Sequence, residues 1–521
     1  MKKFIVILFG ILLVNLNSSC DNYLDVNESP NNPQYANIPP TLTLAAAQTQ
    51  TFRAITGDAR NIEGGIGTSN MNQLGNIWMN AWAGNSNNTT NAMGDEYGVI
   101  LNASFYDNIW DFTYRNVANL HIISQYNSEN YDNHKAIAMI LKAFYMQYIV
   151  DLYGDCPYSQ AFLGQANLTP AYDDDKDVYR ALVDLLDDAK TMIADADSND
   201  ATVGAEDTMM GGNMAKWIQF ANTVKLRLLI RQSGLTDTDT QTYISNELDE
   251  LASATYISDD VTINPGYNNS TQERQNPFYA RYGYLISGAE ATLRGYITAT
   301  GHVAEVLNGN FTGTNPDPRR GRLFVLQSGA VVGINQGDDA VAAPNNPSFL
   351  GPAIVPVPVG SDSSVGSSMD GYVMTLSEAK FLLAEAALLY PSKFAGYDPQ
   401  TLFNEGVTAS FVRLGVASPA TAAASYLATV DLYDGYGWGG TSDKVKAIMT
   451  QKWIALMSVN AIESWIDFVR TGYPQKPLPS TNTTGLPKRL MYPTSEYVSN
   501  SANVPSQTAA QAFATGPFWL P

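Results

Sequence analysis

The sequence predicts a mostly α-helical protein whose helices pair as hairpins, with long irregular loops and a few short strands. Two observations lead to this fold class. Apolar residues recur at helical spacing in several stretches that end at glycine or proline. Neighbouring stretches are joined by short turns, as in helical-hairpin repeats. The spacing is irregular and a tetratricopeptide consensus is not legible, so periodicity alone leaves the type of repeat open.

Three helices are predicted in the first half of the chain. Residues 135–157 show an apolar face at helical spacing, and Gly154 ends it. Aspartates at the start of residues 173–193 favour a helix N-terminus there, because negative charge is stabilised at that end of a helix. Asn213 is the expected N-cap of a third helix that extends to residue 231.

A second group of helices is predicted near the end of the chain. Thr375 and Glu378 form a capping-box pattern ahead of an apolar face. Pro399 opens the partner helix, since proline is well tolerated in the first helical turn. A single long helix is expected from about Asp443 towards Val469.

Three segments differ from the helical stretches because they are rich in glycine, asparagine, serine and proline. They are residues 57–104, 197–212 and 255–370. Long loops of this kind usually carry function. We therefore expect these loops to form the ligand face of a single α-helical domain that spans residues 41–521.

The N-terminus has the pattern of an export signal. Two lysines precede an apolar run over residues 4–14, which is too short for a bilayer that needs about 20 apolar residues. The segment that follows, Leu16-Asn17-Ser18-Ser19-Cys20, resembles the lipobox of bacterial lipoproteins, in which the nucleophilic thiolate of the cysteine accepts the lipid. We predict a signal peptide over residues 1–19 and a lipidated flexible tether over residues 20–40. A plain secreted protein with an unpaired thiol is the alternative.

The composition narrows the class of partner. The formal net charge is −20, which disfavours nucleic acid and anionic lipid, so membrane contact is expected only through the lipid anchor. Only 15% of residues are charged, and a polar but largely uncharged surface suits neutral ligands. If Cys20 carries lipid, Cys156 has no disulfide partner, and stability must come from the size of the core.

The sequence offers no positive pattern for catalysis. The three histidines, His121, His134 and His302, do not fall at a spacing typical of a metal site, and we expect structural roles for them. No nucleophile elbow, P-loop or dinucleotide-binding motif is present. With 50 acidic residues, carboxylate pairs suited to a glycosidase occur by chance. We expect no catalytic residue, metal ligand or cofactor, and a surface glycosidase is the less favoured alternative.

Aromatic side chains are the most informative class. Trp78 and Trp82 stand among uncharged amides, and Tyr267, Tyr279 and Tyr282 belong to a second aromatic cluster. A flat sugar face stacks on an aromatic ring, while amides bond to the hydroxyl groups at its rim. We predict these five residues as ligand-binding residues. Core packing is the alternative interpretation for each ring.

Segments spread in order along nearly the whole chain carry a resemblance to a known family. They are DNYLDVNESPNNP after Cys20, VDLYGDCPYSQAF at 150–162, KWIQFANTVKLRLLIR at 216–231, DPRRGRLF at 317–324, YVMTLSEAKFLLAEAAL at 372–388, QKWIALMSVNAIESWIDFVRTGYP at 451–474 and PKRLMYPTSEYVSNSANV at 487–504. Together they resemble the SusD/RagB nutrient-binding outer-membrane lipoproteins. Within these segments we expect three tryptophans to pack hairpins together (Trp217, Trp453 and Trp465) and three charged residues to form buried ion pairs (Arg319, Glu463 and Arg470).

The resemblance implies a tetratricopeptide-like helical-hairpin scaffold with a ligand face of irregular loops. It also implies a cell-surface location and a partner, a SusC-like TonB-dependent barrel that the lipoprotein covers as a lid. The ligand would be a glycan, or in some members a peptide, and the family is not enzymatic as a rule. A helical-repeat scaffold that binds only another protein is a further alternative. Binding residues in the family lie on variable loops, so the resemblance assigns none in this chain.

Overall fold

The structure is a computed structural model and describes residues 37–57, 70–88, 93–310, 313, 315–336, 343–475 and 485–520. The predicted signal peptide, Cys20 and most of the predicted tether lie outside the described residues. Lipidation of Cys20 therefore stays a prediction.

Helices dominate the described part of the chain. Those of the first half are α1 (Pro40–Thr56), α2 (Met71–Trp78), α3 (Gly94–Gly98), α4 (Asn108–Ser124), α5 (Asp132–Tyr153), α6 (Asp175–Asp195), α7 (Met214–Arg231) and α8 (Thr238–Leu251). Those of the second half are α9 (Pro277–Tyr282), α10 (Gly301–Leu307), α11 (Arg320–Leu323), α12 (Ser364–Ser367), α13 (Leu376–Leu389), α14 (Pro399–Arg413), α15 (Pro419–Val430), α16 (Lys444–Leu456), α17 (Ile462–Thr471), α18 (Thr494–Ser499) and α19 (Ala509–Ala514).

Four short strands form two separate antiparallel pairs. They are β1 (Trp82–Gly84), β2 (Val261–Ile263), β3 (Ile297–Ala299) and β4 (Gly371–Met374). β1 pairs with β3, and β2 pairs with β4. Each pair joins segments that are distant in sequence, so the strands connect loops and do not build a sheet core.

Consecutive helices pack as hairpins, as predicted. α5 packs against α4 and α6, and α14 packs against α13 and α15. The two halves of the chain meet where α13 contacts α7 and where α17 contacts α2. The predicted mostly α-helical scaffold of hairpins is therefore confirmed. The loop segments are less irregular than expected, because α2 and α3 lie within 57–104 and α9 to α12 lie within 255–370.

α5 is the central helix of the core. Among the described residues, the stretch Glu129–Tyr153 that contains it is the only helix long and apolar enough to cross a membrane. Every residue in its most apolar window is buried by the rest of the protein. A helix that is apolar all round and packed on all sides is a core helix, and its burial accounts for its composition.

The predicted helix starts are confirmed by the cap contacts. The Asn213 side chain accepts a hydrogen bond from the backbone N–H of Lys216 at 3.1 Å. The Thr375 hydroxyl accepts one from the Glu378 N–H at 3.2 Å. A side-chain cap of this kind contributes about 1 kcal/mol, because it satisfies one of the N–H groups left open in the first turn.

The prediction of one long helix from Asp443 to Val469 is wrong, since the chain forms α16 and α17 with a break between them. At the break, Ser458 has a left-handed φ of 67°. Its N–H donates to Asn76 Oδ1 at 3.0 Å, and its carbonyl accepts from Asn72 Nδ2 at 3.2 Å. These amides on α2 replace the backbone bonds that a continuous helix would make.

The break also depends on a close backbone approach. A Cβ atom at Gly75 would lie 2.2 Å from the backbone of Ala461, at the start of α17. Only glycine permits α2 to pack this tightly. The Ala461 N–H donates to Asn72 Oδ1 at 3.3 Å, which completes the contact between the two helices.

The expected structural residues occupy structural positions. Trp217, Trp453 and Trp465 are each at most 2% exposed. Arg319 pairs with Asp317 at 2.7 Å, and Arg470 pairs with Glu385 at 2.7 Å. The predictions of packing tryptophans and buried ion pairs are confirmed, and Glu463 joins two arginines described below. Cys156 is fully buried, and burial raises the pKa of its thiol well above the usual value, which leaves it unreactive.

Candidate functional site

Two of the three predicted loop segments come together through the β1–β3 pair. Trp82 lies opposite Ala299, and Gly84 lies opposite Ile297. The Thr300 hydroxyl donates to the Asn80 carbonyl at 2.6 Å, just beyond the pair. The pairing therefore brings the loop after α2 beside the loop before α10.

The third loop segment, 197–212, joins the second at a different place. Its Thr208 carbonyl accepts from the Asn264 N–H at 3.0 Å. The Asp207 carboxylate in this segment accepts from Trp217 Nε1 at 2.8 Å and from Gln48 Nε2 at 2.9 Å. These contacts bury Asp207 and attach the segment to the helical scaffold.

A surface that we call the loop face forms beside the β1–β3 pair. It consists of residues 84–88, 295–296, 335–336 and 343–349. The Asn88 side chain donates to the Gly295 carbonyl at 2.9 Å. The Asn87 side chain donates to the Pro344 carbonyl at 2.7 Å. Side-chain amides thus bridge the loops that form the face.

The loop face is polar and uncharged. None of the described residues that define it carries a charged side chain, and Asp338 and Asp339, which fall between two of its ranges, lie outside the described residues. Its exposed amides belong to Asn87, Asn88, Asn335, Asn345 and Asn346. In a protein with a net charge of −20, this surface is suited to a neutral ligand, because amides both donate to and accept from hydroxyl groups.

Two further residues belong to the loop face. Tyr296 is half-buried and packs against the core, and its carbonyl accepts a hydrogen bond from the Asn85 N–H at 2.8 Å. Gln336 is 7% exposed, and its Oε1 accepts from the Gly84 N–H at 3.3 Å. Its Nε2 is buried and makes no hydrogen bond within the described residues. An unsatisfied amide donor beside this face is a group that a ligand oxygen can satisfy.

The predicted ligand-binding tryptophans lie beneath this face and not on it. Trp82 is fully buried, donates from Nε1 to the Ser458 hydroxyl at 3.1 Å and packs against Tyr282 with ring centroids 5.2 Å apart. Trp78 is also fully buried and packs against Trp465 at 4.7 Å. The two rings therefore stabilise the loops and the break between α16 and α17.

The three predicted tyrosines are also buried. Tyr279 and Tyr282 are fully buried, and Tyr267 is 7% exposed. The Tyr279 hydroxyl donates to the Pro356 carbonyl at 3.1 Å. The prediction that these five aromatic residues form a stacking platform does not fit the structure. The loops are long, and they bury their own large apolar side chains to become ordered.

A chain of hydrogen bonds runs through this buried layer. Tyr282 donates to Gln73 Oε1 at 2.9 Å, and Gln73 Nε2 donates to the Tyr106 hydroxyl at 2.9 Å. Tyr106 in turn donates to Glu96 Oε1 at 2.8 Å. Burial raises the pKa of the Glu96 carboxyl, although its hydrogen bonds partly offset the effect. The network holds the layer under the loop face in one arrangement.

The residues of the loop face escaped sequence reasoning for two different reasons. Asn87 and Asn88 stand close to Trp82, and their signal was the run of amides in GNSNN. Tyr296 and Gln336 join them only through backbone contacts between distant segments. No local pattern marks those two residues.

Two groups of carboxylates among the described residues lie close enough to share a cation. In one group, the Lys225 ammonium sits 2.7 Å from Asp187, 2.7 Å from Glu247 and 2.8 Å from Glu250. The lysine is fully buried and supplies the positive charge. This group is therefore an internal ion cluster that ties α6, α7 and α8 together.

The other group, Asp155, Asp174 and Asp175, is occupied by hydrogen bonds to backbone. Asp174 caps α6, Asp155 accepts from the Asp175 N–H at 3.1 Å, and Asp175 accepts from the Phe518 N–H at 2.8 Å. Burial raises the pKa of Asp175 to about 6, and the neighbouring aspartates add to this. The group fixes the start of α6 and the C-terminal segment.

Comparison with known proteins assigns the chain to a family of outer-membrane-associated proteins. A SusD-like family model described as "Starch-binding associating with outer membrane" matches residues 34–493. Because the match covers most of the chain, the protein belongs to this SusD-like family. The resemblance seen in the sequence is confirmed. No curated protein matches the chain in sequence.

Solved structures show the same fold at low sequence identity. A chitin-binding SusD homologue from Flavobacterium johnsoniae is 23% identical, with a TM-score of 0.65 over 88% of this chain and 94% of its own. A SusD homologue from Bacteroides uniformis is 24% identical, with a TM-score of 0.67 over 94% and 100%. One from Bacteroides fragilis is 19% identical, with a TM-score of 0.67 over 92% and 99%. The predicted SusD-like helical fold is confirmed.

Proposed function

We propose that the protein is a surface lipoprotein that captures a neutral glycan on its loop face and passes it to a SusC-like TonB-dependent outer-membrane transporter. The observation that carries the proposal is the uncharged, amide-rich surface formed by residues 84–88, 295–296, 335–336 and 343–349 on a strongly acidic protein. Membership of a family described as starch-binding supports the ligand class. The chitin-binding relative supports it too.

Two arguments support the proposed location. The family is described as associating with the outer membrane. Lipid on Cys20 would supply the anchor, and the tether 20–40 would allow the helical body to move over the mouth of a barrel. Mass spectrometry of the membrane-extracted protein tests this, since an unmodified Cys20 would contradict the anchor.

Calorimetry against a panel of starch fragments, chitin fragments and peptides tests the ligand class. A neutral glycan is expected to bind with an affinity in the millimolar to micromolar range, about −4 to −8 kcal/mol. Binding of peptides alone would favour a peptide-binding lid. If neither glycans nor peptides bind, the proposed ligand capture is wrong.

A pair of matched variants locates the site. Asn88→Ala removes an exposed side-chain bond to the Gly295 carbonyl on the loop face. Asn503→Ala removes an exposed side-chain bond to the Thr169 carbonyl and one to Asn500, in segments that contribute no residue to the loop face. The first variant is expected to weaken glycan binding by about tenfold and the second to leave it unchanged. Equal affinities for the two variants would place the site elsewhere.

Transfer to the transporter has a separate readout. Deletion of the gene is expected to abolish uptake of the glycan that binds, and Cys20→Ser should impair uptake while leaving binding in solution intact. Normal uptake by the deletion strain would contradict the delivery role and leave glycan binding standing.

A further inference from the structure

A pocket of about 190 Å³ lies beside α10, the helix that begins two residues after β3 ends. It lies between α10, the loop after α15, and one face of α16. Lys446, Thr450 and Trp453 are spaced four and three residues apart, so they share that face of α16. The loop after α15 adds Asp434 and Tyr436 to the wall.

An aromatic pair forms one wall of the pocket. The rings of His302 and Trp453 are stacked, with centroids 5.5 Å apart and planes inclined by 25°. Trp453 is 2% exposed, and its indole N–H donates to no acceptor within the described residues. A buried donor without an acceptor costs about 1–3 kcal/mol, so an acceptor oxygen brought close to Trp453 would be favoured.

The rim of the pocket carries acceptors and donors of mixed charge. Glu305 and Asp434 are exposed carboxylates, and the Lys446 ammonium pairs with Asp434 at 2.6 Å. Burial and the charge of Glu305 raise the pKa of Tyr436 to about 12, which keeps its phenol protonated and able to donate at neutral pH. Two carboxylates against one ammonium disfavour an anionic ligand. Carboxylate, ammonium and phenol groups beside an aromatic wall suit an uncharged ring with several hydroxyls.

The pocket is connected to the loop face by short stretches of backbone. Six residue steps separate Tyr296 on the face from His302 in the pocket, which bounds their separation at about 20 Å. The Gly301 N–H donates to the Ile334 carbonyl at 2.9 Å, and two residues later Gln336 contacts Gly84 on the loop face. One extended oligosaccharide could therefore reach both places.

We propose that this pocket is a second subsite that holds an uncharged sugar ring of the same oligosaccharide whose other end binds the loop face. The inference rests on the proposed glycan binding and adds two statements to it. The preferred ligand is a chain of several sugar units. Selectivity for chain length resides in the pocket lined by His302, Tyr436 and Trp453.

The test compares short and long probes on two matched variants of the full chain. Asp434→Asn removes a carboxylate that is 61% exposed and paired with Lys446 at the rim of the pocket. Asp249→Asn removes one that is 64% exposed and paired with Lys393 elsewhere. The probes are maltose against a long maltodextrin, and chitobiose against a longer chitin oligosaccharide, all measured by calorimetry.

Asp434→Asn is expected to weaken binding of the long probe by about tenfold and to leave the short probe unchanged. Asp249→Asn should bind both probes as the wild type does. A Glu305→Gln variant, at an exposed carboxylate that lines the same pocket, should show the same selective loss. Equal affinity of the wild type for long and short probes, or an equal loss in both aspartate variants, overturns the subsite and leaves glycan binding intact. If the wild type binds no probe, glycan capture fails and the subsite fails with it.

Discussion

The Nη2 atom of Arg231 lies 2.8 Å from Oε2 of Glu463, and neither side chain is more than 2% exposed. The other oxygen of Glu463 lies 3.1 Å from Arg227, which also pairs with Glu378 at 2.9 Å. The cluster ties α7, α13 and α17 together in the middle of the core. Its charges must remain paired, because a buried charge without a partner is strongly destabilising.

Loss of Glu463 should therefore destabilise the whole domain. Glu463→Gln leaves two buried arginines short of negative charge, and we expect the free energy of unfolding to fall by about 3–5 kcal/mol at pH 7. Glu405→Gln is the control, since its pair with Lys380 is partly exposed and worth at most about 1 kcal/mol. Chemical denaturation measures both. A loss at position 463 no larger than the loss at position 405 would contradict the role of the cluster.

The lowered pKa of Glu463 should also make the stability of the protein depend on pH in the acid range. Burial alone would raise the pKa of Glu463, but Arg227 and Arg231 outweigh it and hold the pKa at about 2, below the usual 4.5. A lowered carboxyl pKa stabilises the folded state above pH 4.5, and this contribution is lost as pH falls towards 2. The difference in unfolding free energy between wild type and Glu463→Gln should therefore narrow over that range. A constant difference from pH 5 to 2 would contradict this.

Glu96 should behave in the opposite way. Burial raises the pKa of its carboxyl, so above pH 4.5 the folded state retains more of this proton than the unfolded chain does. The ionised form is penalised, and stability falls as pH rises above 4.5 through the raised value. Glu96→Gln keeps an acceptor for the Tyr106 hydroxyl and carries no charge. The midpoint of Glu96→Gln minus that of the wild type should therefore increase as pH rises from 4.5. A decrease in this difference would contradict the raised pKa of Glu96.

Lys142 is a buried basic group whose pKa should also make the stability depend on pH. Its ammonium lies 3.3 Å from His121 Nδ1 and over the ring of Tyr158, and burial lowers its pKa to about 8. The penalty for burying the charge is complete below pH 8 and disappears as pH rises to 10.5. Lys142→Met should therefore raise the thermal midpoint at pH 7. The difference in midpoint from the wild type should become smaller as pH rises from 8 to 10.5. Lys216→Met, at a half-exposed lysine, should show no such trend.

Substitution of Trp82 tests whether the aromatic residues beneath the loop face stabilise the fold. Trp82→Ala should lower the free energy of unfolding by about 3–5 kcal/mol, because it empties a fully buried site and leaves the Ser458 hydroxyl without its donor. Leu432→Ala, at a side chain that is 83% exposed, is the control and should have little effect. A small change for Trp82→Ala together with a loss of glycan binding would return this ring to the ligand site.

The helix starts could be predicted because a cap is a local contact. Asn213 bonds to an N–H three residues later, and the same holds for Thr375 and Glu378. The break between α16 and α17 could not be predicted in this way. Ser458 takes its partners from Asn72 and Asn76, which are 386 and 382 residues away in sequence. Sequence periodicity carries no information about such partners.

The aromatic residues show the same limit. The sequence correctly marked the loops that gather beside the β1–β3 pair, and it marked Trp78, Trp82, Tyr279 and Tyr282 as unusual. It could not distinguish a ring that faces a ligand from one that orders a loop, because both occur on loops rich in amides. Trp82 is buried because it contacts Ser458, which is 376 residues away in sequence.

The sequence by itself determined the helical hairpins, the helix starts at Asn213, Thr375 and Pro399, and the family, because periodicity, caps and family segments depend on residues that are close together in the chain. It also determined that the surface is acidic overall and mostly uncharged in its loops. Only the tertiary structure decided which residues are exposed on the loop face and which lie beneath it. It also brought His302 and Trp453 to one pocket. Exposure depends on partners that arrive from distant segments, and packing of the complete chain selects those partners.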